Sequence, residues 1–279
     1  MTLFEVYKDS IKKLNNPDVE EINIRILLCE INHLKSMSDF YLRKDEEIQD
    51  LHRFNEYLDR FLKGEPVQYI LGKTTFFGHE FLVDRRVLIP RQESEEVVAF
   101  IIDKIKEKFG TQPVDIFDVC CGSGIMGISL SKSIPTKSLF LSDISREAIE
   151  VTKANLENLK VDGIAIVGDG LNSLISEGKK CDVLISNPPY ILKGEKVGES
   201  VLEFEPHLAL FADNNFSIYK SIISNLENIK KDKLIAVFEI GEHTKEVLEP
   251  FLIENYPSYY FEFVKDINDK ERILYIFIE

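Results

Sequence analysis

The chain has 279 residues, of which 44% are hydrophobic and 29% charged, with a formal net charge of -14. That length accommodates one large domain plus a small one around a sizeable core. The acidic balance argues against a sequence-independent grip on a phosphate backbone, which needs clustered Lys and Arg, so no direct nucleic-acid binding is expected. No apolar run approaches the ~20 residues that span a bilayer, so no membrane association is expected either, and the chain reads as a soluble cytoplasmic protein.

Residues 3–64 read as a small helical domain, because apolar residues recur at three- and four-residue spacing: Leu3, Val6, Tyr7, Ile11, Leu14, then Ile48, Leu51, Phe54, Leu58, Phe61. Asn15-Asn16-Pro17-Asp18 starts a new helix within it, and Gly64-Glu65-Pro66 ends the last one. Residues 65–90 read as a hairpin linker: Thr74-Thr75-Phe76-Phe77 and Glu80-Phe81-Leu82-Val83 are short β-prone stretches around Gly78. A helix is predicted from about Ser94, with Val97, Val98, Ile101 and Ile105 on its apolar face.

From there to residue 279 the pattern is α/β. Apolar strands at 114–119, 138–142, 164–167, 182–186 and 234–240 are separated by helical stretches such as 145–159 and 216–230, which implies a parallel sheet covered on both faces. Tyr259–Val264 and Arg272–Ile278 have no helix between them and read as an antiparallel pair closing the sheet edge. The four cysteines (29, 120, 121 and 181) read as buried thiols. With five scattered histidines and no ligand spacing, no metal site is expected.

Asp118-Val119-Cys120-Cys121-Gly122-Ser123-Gly124-Ile125-Met126-Gly127 runs from a strand into a helix. A backbone turning sharply off a strand toward a ligand needs glycine there. Taken literally, Gly122, Gly124 and Gly127 form G-x-G-x-x-G with Asp143 about 20 residues on, which admits a dehydrogenase. Asp143 closes the second strand, where its carboxylate can accept from ribose hydroxyls; it is also placed to act as a helix N-terminal acid before Ser145. Asp169, between Gly168 and Gly170, is a further candidate for the nucleotide edge, although Gly-Asp-Gly is also an ordinary turn.

Asn187-Pro188-Pro189-Tyr190 follows Asp182–Ser186 and so lies at the carboxyl end of the fourth strand, where α/β sheets bind ligands. The prolines remove two backbone donors, leaving Asn187 Oδ1 and the Pro188 carbonyl as acceptors for a planar NH₂ group. An amide nitrogen is a poor nucleophile, and accepting both of its N–H bonds fixes its direction toward an electrophile and favours the charge that develops on it. Tyr190 can pack on the planar amide. A nicotinamide enzyme has no use for such an acceptor pair, which displaces the dehydrogenase reading.

On these motifs the sequence resembles the release factor glutamine methyltransferase family, also called the HemK or PrmC family. Leu88-Ile89-Pro90-Arg91-Gln92-Glu93-Ser94-Glu95 resembles its pre-sheet motif, Asp118–Gly124 its cofactor loop, and Phe204-Glu205-Pro206-His207-Leu208-Ala209-Leu210 the segment after its catalytic loop. The resemblance implies a Rossmann-like, seven-stranded methyltransferase domain over 91–279, joined by the hairpin to an N-terminal helical substrate-docking domain over 1–64. It implies S-adenosylmethionine bound at Cys120, Cys121, Gly122, Ser123, Gly124, Asp143, Asp169, Gly170 and Asn187. It also implies Asn187, Pro188, Pro189 and Tyr190 holding the glutamine amide from the Gly-Gly-Gln loop of class I peptide-chain release factors. Two positions depart from the family pattern: Cys120 stands where the loop has its first glycine, and Gln92 where the pre-sheet motif has its second proline.

Three other functions share these features. A sister family with the same catalytic motif methylates glutamine in a ribosomal protein. An adenine-N6 DNA methyltransferase faces the same exocyclic-amine problem, though the acidic balance and the lack of a recognisable DNA-recognition domain argue against it. A non-catalytic binder can also retain the cofactor fold.

Overall fold

The computed structural model describes the backbone throughout and the side chains of residues 1–16 and 20–279. The chain divides into two compact units, Met1–Lys73 with Gly198–Phe204, and Thr74–Val197 with Glu205–Glu279.

The first unit holds five consecutive helices: α1 (Leu3–Ile11), α2 (Pro17–Ile31), α3 (Met37–Leu42), α4 (Leu51–Leu62) and α5 (Val67–Leu71). The start of α1 is fixed by a reciprocal capping box between Thr2 and Glu5, at 2.9 and 3.2 Å. Leu3, Val6, Leu27, Phe40, Phe54 and Leu58 meet in its core. Helix α5 lies within the stretch read from sequence as a hairpin linker. Pro66 does not stop the helices there; it caps the next one, which runs until Gly72 turns left-handed at φ 73°.

The hairpin is β1 (Lys73–Phe76) with β2 (His79–Leu82), followed by α6 (Glu93–Phe109), β3 (Val114–Val119), α7 (Ile125–Ser133), β4 (Thr136–Asp143), α8 (Arg146–Leu159) and β5 (Ile164–Val167). Next come α9 (Asn172–Ser176), β6 (Cys181–Ser186), α10 (Glu199–Phe204), which belongs to the first unit, α11 (His207–Leu210), α12 (Ser217–Ser224) and α13 (Leu226–Ile229). The chain ends with β7 (Lys230–Glu239), α14 (Thr244–Asn255), β8 (Tyr260–Lys265) and β9 (Glu271–Ile278).

Seven strands form one sheet in the order β5-β4-β3-β6-β7-β9-β8. The first five are parallel, and β9 inserts antiparallel between β7 and β8. Strands β3 and β6 are buried along almost their whole length because both faces of the sheet are covered. Ile116, Val183 and Val237 face one core with Val97 and Ile101 of α6, while Phe117, Leu184 and Phe238 face the other with Tyr219 and Ile223 of α12. The chain leaves β3 toward β4 on one side and reaches β6 and β7 on the other, so the strand order reverses between β3 and β6. A crevice at the carboxyl ends of those strands follows from that topology.

Candidate active site

A cavity of about 510 Å³ opens at that reversal point, within the usual range for a small-molecule site. Parallel register sets its floor. Val119 of β3 pairs with Ser186 of β6, and Ser186 with Phe238 of β7, so Cys120, Asn187 and Glu239 are the next residues out along three neighbouring strands.

The chain turns off β3 through three left-handed residues, Cys120 at φ 60°, Gly122 at 54° and Gly124 at 77°. Cys120 therefore occupies a conformation that L-residues rarely adopt. A Cβ on Gly124 would lie 2.8 Å from Thr152 Cγ2, so that glycine is needed for packing as well as for the turn. Gly127, the third glycine of the literal dinucleotide pattern, serves another purpose: its N–H donates to Asp118 Oδ2 at 2.8 Å, and an added Cβ would meet that oxygen at 2.7 Å.

The Asp143 carboxylate stands at the start of α8 as a helix N-terminal acid and also lines the cavity. Oδ2 accepts the Gly122 N–H and Oδ1 the Ser145 N–H, each at 2.9 Å, so it clamps the loop to the start of α8 while lining the cavity. Ser145 itself caps α8, accepting the Ala148 N–H at 3.1 Å. Burial pushes the Asp143 carboxyl up, against the pull of those N–H donors. Burial also raises Asp118 to about 7, and Cys120 to about 12, keeping that thiol protonated.

Cys120, Cys121, Gly122 and Ser123 line the cavity, as do Asp143, Asp169 and Gly170. Asn187 and Pro189 line it from the β6 side, whereas Gly124, Pro188 and Tyr190 do not. Pro188 is buried, and its carbonyl lies 3.1 Å from the Tyr219 hydroxyl, which also reaches the Glu239 carbonyl at 2.8 Å. Tyr190 rests against Gly241.

Several residues of this site escaped the sequence reading. Asn155 of α8, fully buried, donates to the carbonyls of Ser123 at 2.9 Å and Leu82 at 3.0 Å, tying the loop to β2. Ser94 of α6 donates to Glu239 Oε2 at 2.5 Å. Asp118 and Glu239 had a usable signal, since Asp118 follows Ile116-Phe117 directly and Glu239 ends the apolar run Leu234–Phe238, and a buried acid needs a reason. Ile144, exposed beside Asp143, and Leu208 of α11 add apolar walls.

Two family models match the chain: a Methyltransferase small domain over residues 94–205 and a PrmC N-terminal domain over residues 5–72. The release factor glutamine methyltransferase of Staphylococcus aureus is 37% identical over 242 residues, covering 85% of either chain. That of Bacillus subtilis is 34% identical over 279 residues, covering 98% of this chain and 96% of the relative. Among solved structures, the T. thermophilus 16S rRNA methyltransferase RsmC in complex with AdoMet and guanosine aligns with a TM-score of 0.53 at 13% identity. The alignment covers 74% of this chain and 49% of that one, a likeness of fold.

Proposed function

The chain belongs to the release factor glutamine methyltransferase family, and on that premise we propose that it methylates the side-chain amide nitrogen of the glutamine in the Gly-Gly-Gln loop of class I release factors. The methyl donor in this reading is S-adenosylmethionine. The observation that carries it is the strand register that sets the Asn187 acceptor beside the Cys120–Gly124 loop and Asp143 in one cavity.

The residues present fit that donor. Each Asp143 oxygen accepts one backbone N–H and keeps lone-pair capacity for ribose hydroxyls. The left-handed turn brings loop backbone to the cavity wall without side chains in the way. Asp143 and Asp169 on the wall favour a cationic group. When bound, S-adenosylmethionine supplies an electrophilic methyl on a sulfonium.

The chain's own part is to hold the amide. Asn187 Oδ1 accepts one N–H of the substrate glutamine and the Pro188 carbonyl accepts the other. The Tyr219 hydroxyl occupies only one of that carbonyl's two lone pairs. Two acceptors fix the nitrogen's direction and stabilise the positive charge that grows on it as the new C–N bond forms, after which the surplus proton leaves to solvent. Tyr190, held against Gly241, is the packing face for the flat amide. Docking of the rest of the release factor falls to the helical unit over 1–64, which exposes Tyr41 and Leu42. No helix among the described residues is long and apolar enough to cross a membrane. The reaction in this reading takes place in the cytoplasm, where release factors act.

Incubation of the protein with S-adenosylmethionine and a bacterial release factor, followed by peptide mass spectrometry, tests the reading. One added methyl on the Gly-Gly-Gln glutamine is the expected result. Cofactor binding without methylation of any release factor overturns it and moves the search to a ribosomal-protein glutamine.

A further inference from the structure

We propose that Glu239 is the positioning residue that decides which way the Asn187 amide faces, a role that rests on reading Asn187 as the acceptor for the substrate nitrogen. An asparagine side chain is nearly symmetric in shape but opposite in chemistry at its two ends. Rotated by half a turn, Asn187 would present an NH₂ to the substrate NH₂, donor against donor. Something must hold the oxygen toward the cavity.

Glu239 stands in the right place. Ser186 and Phe238 are register partners, so Asn187 and Glu239 leave neighbouring parallel strands side by side. Glu239 is 1% exposed. The Ser94 hydroxyl donates to Oε2 at 2.5 Å; burial pushes the Glu239 carboxyl up, while Ser94, the Arg272 charge and the neighbouring Asn187 side chain favour its ionised form. An ionised carboxylate only accepts, so the Asn187 group that meets it is Nδ2, and the planar amide then turns Oδ1 away from Glu239. The Glu239 backbone is pinned as well, because the Tyr219 hydroxyl bridges the carbonyls of Glu239 and Pro188. Both substrate acceptors are thereby referenced to the end of β7.

Nothing in the substrate chemistry needs an acid at this depth: Glu239 is not among the residues lining the cavity, whereas Asn187 and Ser94 are. A buried acid that touches a catalytic asparagine but not the cavity is placed to act through it. A glutamine at this position can offer either its oxygen or its NH₂ to Asn187, and so loses the ability to choose.

The test is a double-mutant cycle on the full chain, with S-adenosylmethionine and a release factor, reading kcat, KM and the cofactor Kd. Glu239→Gln is expected to lower kcat by at least about 10-fold, short of the loss of a whole preorganised contact, with the cofactor Kd and the KM for the release factor within about twofold of wild type. In an Asn187→Ala background the same change is expected to lower kcat no further, because there is no amide left to orient. A purely structural role would move kcat equally in both backgrounds, and that result overturns the proposal, as does an E239Q variant with wild-type kcat. Full activity of N187A alone would instead sink the reading of Asn187 on which this rests. Should E239Q fail to fold, the wild-type protein with ¹⁵N-labelled asparagine still decides: a downfield Nδ2 proton of Asn187 supports the bond to the carboxylate. A pair of Nδ2 protons at free-amide positions overturns it.

Discussion

Arg91 and Glu205, 114 residues apart in sequence, meet in an ion pair with Arg91 Nη2 2.6 Å from Glu205 Oε1, while Glu205 Oε2 accepts the Ile89 N–H at 3.1 Å. Glu205 is 4% exposed and Arg91 sits at the surface end of the pair. The Leu88–Glu95 motif is thus clasped to the segment that follows the Asn187–Tyr190 loop, and the walls of the cavity on that side include Pro90 and Pro206.

Removing the cation should therefore cost more than a surface salt bridge does. Arg91→Ala leaves a buried carboxylate with one backbone donor, and stability is expected to fall by about 2 kcal/mol, in the range of a charge-assisted hydrogen bond. Glu205→Gln keeps an acceptor for Ile89 and is expected to lose less. Urea unfolding of both variants checks the order, and equal losses would mean that leaving the buried carboxylate unpaired costs no more than removing its charge.

The glycine loop offers a graded steric test. A Cβ at Gly122 meets nothing within 4 Å, so Gly122→Ala should incur only the left-handed backbone penalty, about 1–2 kcal/mol. At Gly127 the backbone is unstrained but the methyl would lie 2.7 Å from Asp118 Oδ2 and 2.8 Å from its Cβ. Gly127→Ala should therefore push α7 off β3, lowering stability by about 1–3 kcal/mol and weakening cofactor binding about 10-fold or more. Gly127→Ala binding the cofactor as tightly as wild type would show that the contact relaxes.

Much of this was legible in the sequence because it is local. Strands β3 to β7 announce themselves as apolar runs, and Asp143 and Asn187 stand out by following such runs directly. Helices α9, α10 and α11 are four to six residues long, too short for a 3.6-residue period to register. The residues that brace the site were hidden for a different reason. Ser94 meets Glu239 across 145 positions and Asn155 meets Leu82 across 73, and no local pattern encodes a contact made only when α6 and α8 close over the sheet.

Asp118 gives a pH dependence of definite sign. Burial raises its folded value to about 7 from the ordinary 3.8, so the native protein holds a proton that the unfolded chain releases between those values. Its contribution is most favourable below about pH 4 and is lost as pH rises through about 7. Asp118→Asn keeps an acceptor for the Gly127 N–H and removes the titration, so the Tm of the variant relative to wild type is expected to climb between pH 5 and pH 8. A constant difference across that interval would place the Asp118 carboxyl near its ordinary value.

Tyr219 is fully buried, and its hydroxyl reaches the carbonyls of Pro188 and Glu239. Tyr219→Phe keeps the ring among Phe216 and Phe238 and deletes only that bridge. The stability loss should be about 1 kcal/mol, and kcat should fall about 10-fold with the cofactor Kd unchanged, because the Pro188 acceptor is freed to drift while the cofactor loop is untouched. A variant that loses stability but keeps wild-type kcat would show that the prolines alone hold the carbonyl in place.

Gly241 and Tyr190 supply the last case, in which sterics alone control the side chain proposed to pack on the substrate amide. Gly241 has an ordinary backbone conformation, so the reason for glycine is space: a Cβ there would lie 2.7 Å from Tyr190 Cδ2, 3.2 Å from Cγ and 3.3 Å from Cβ. The ring cannot swing clear of contacts that reach back to its own Cβ, so Gly241→Ala must move the whole Tyr190 side chain. Activity on the release factor is expected to fall about 10-fold in kcat/KM, through misplacement of the packing face for the amide. Cofactor affinity should hold, since neither residue lines the cavity. Coupling separates this from a general loss of packing. With Tyr190→Ala already in place the ring is gone and only the 3.3 Å approach to Cβ remains, so adding Gly241→Ala should cost little more, whereas independent effects would add. Steady-state kinetics on the four proteins decide between the two, and simple additivity would remove Gly241 from any role in holding Tyr190.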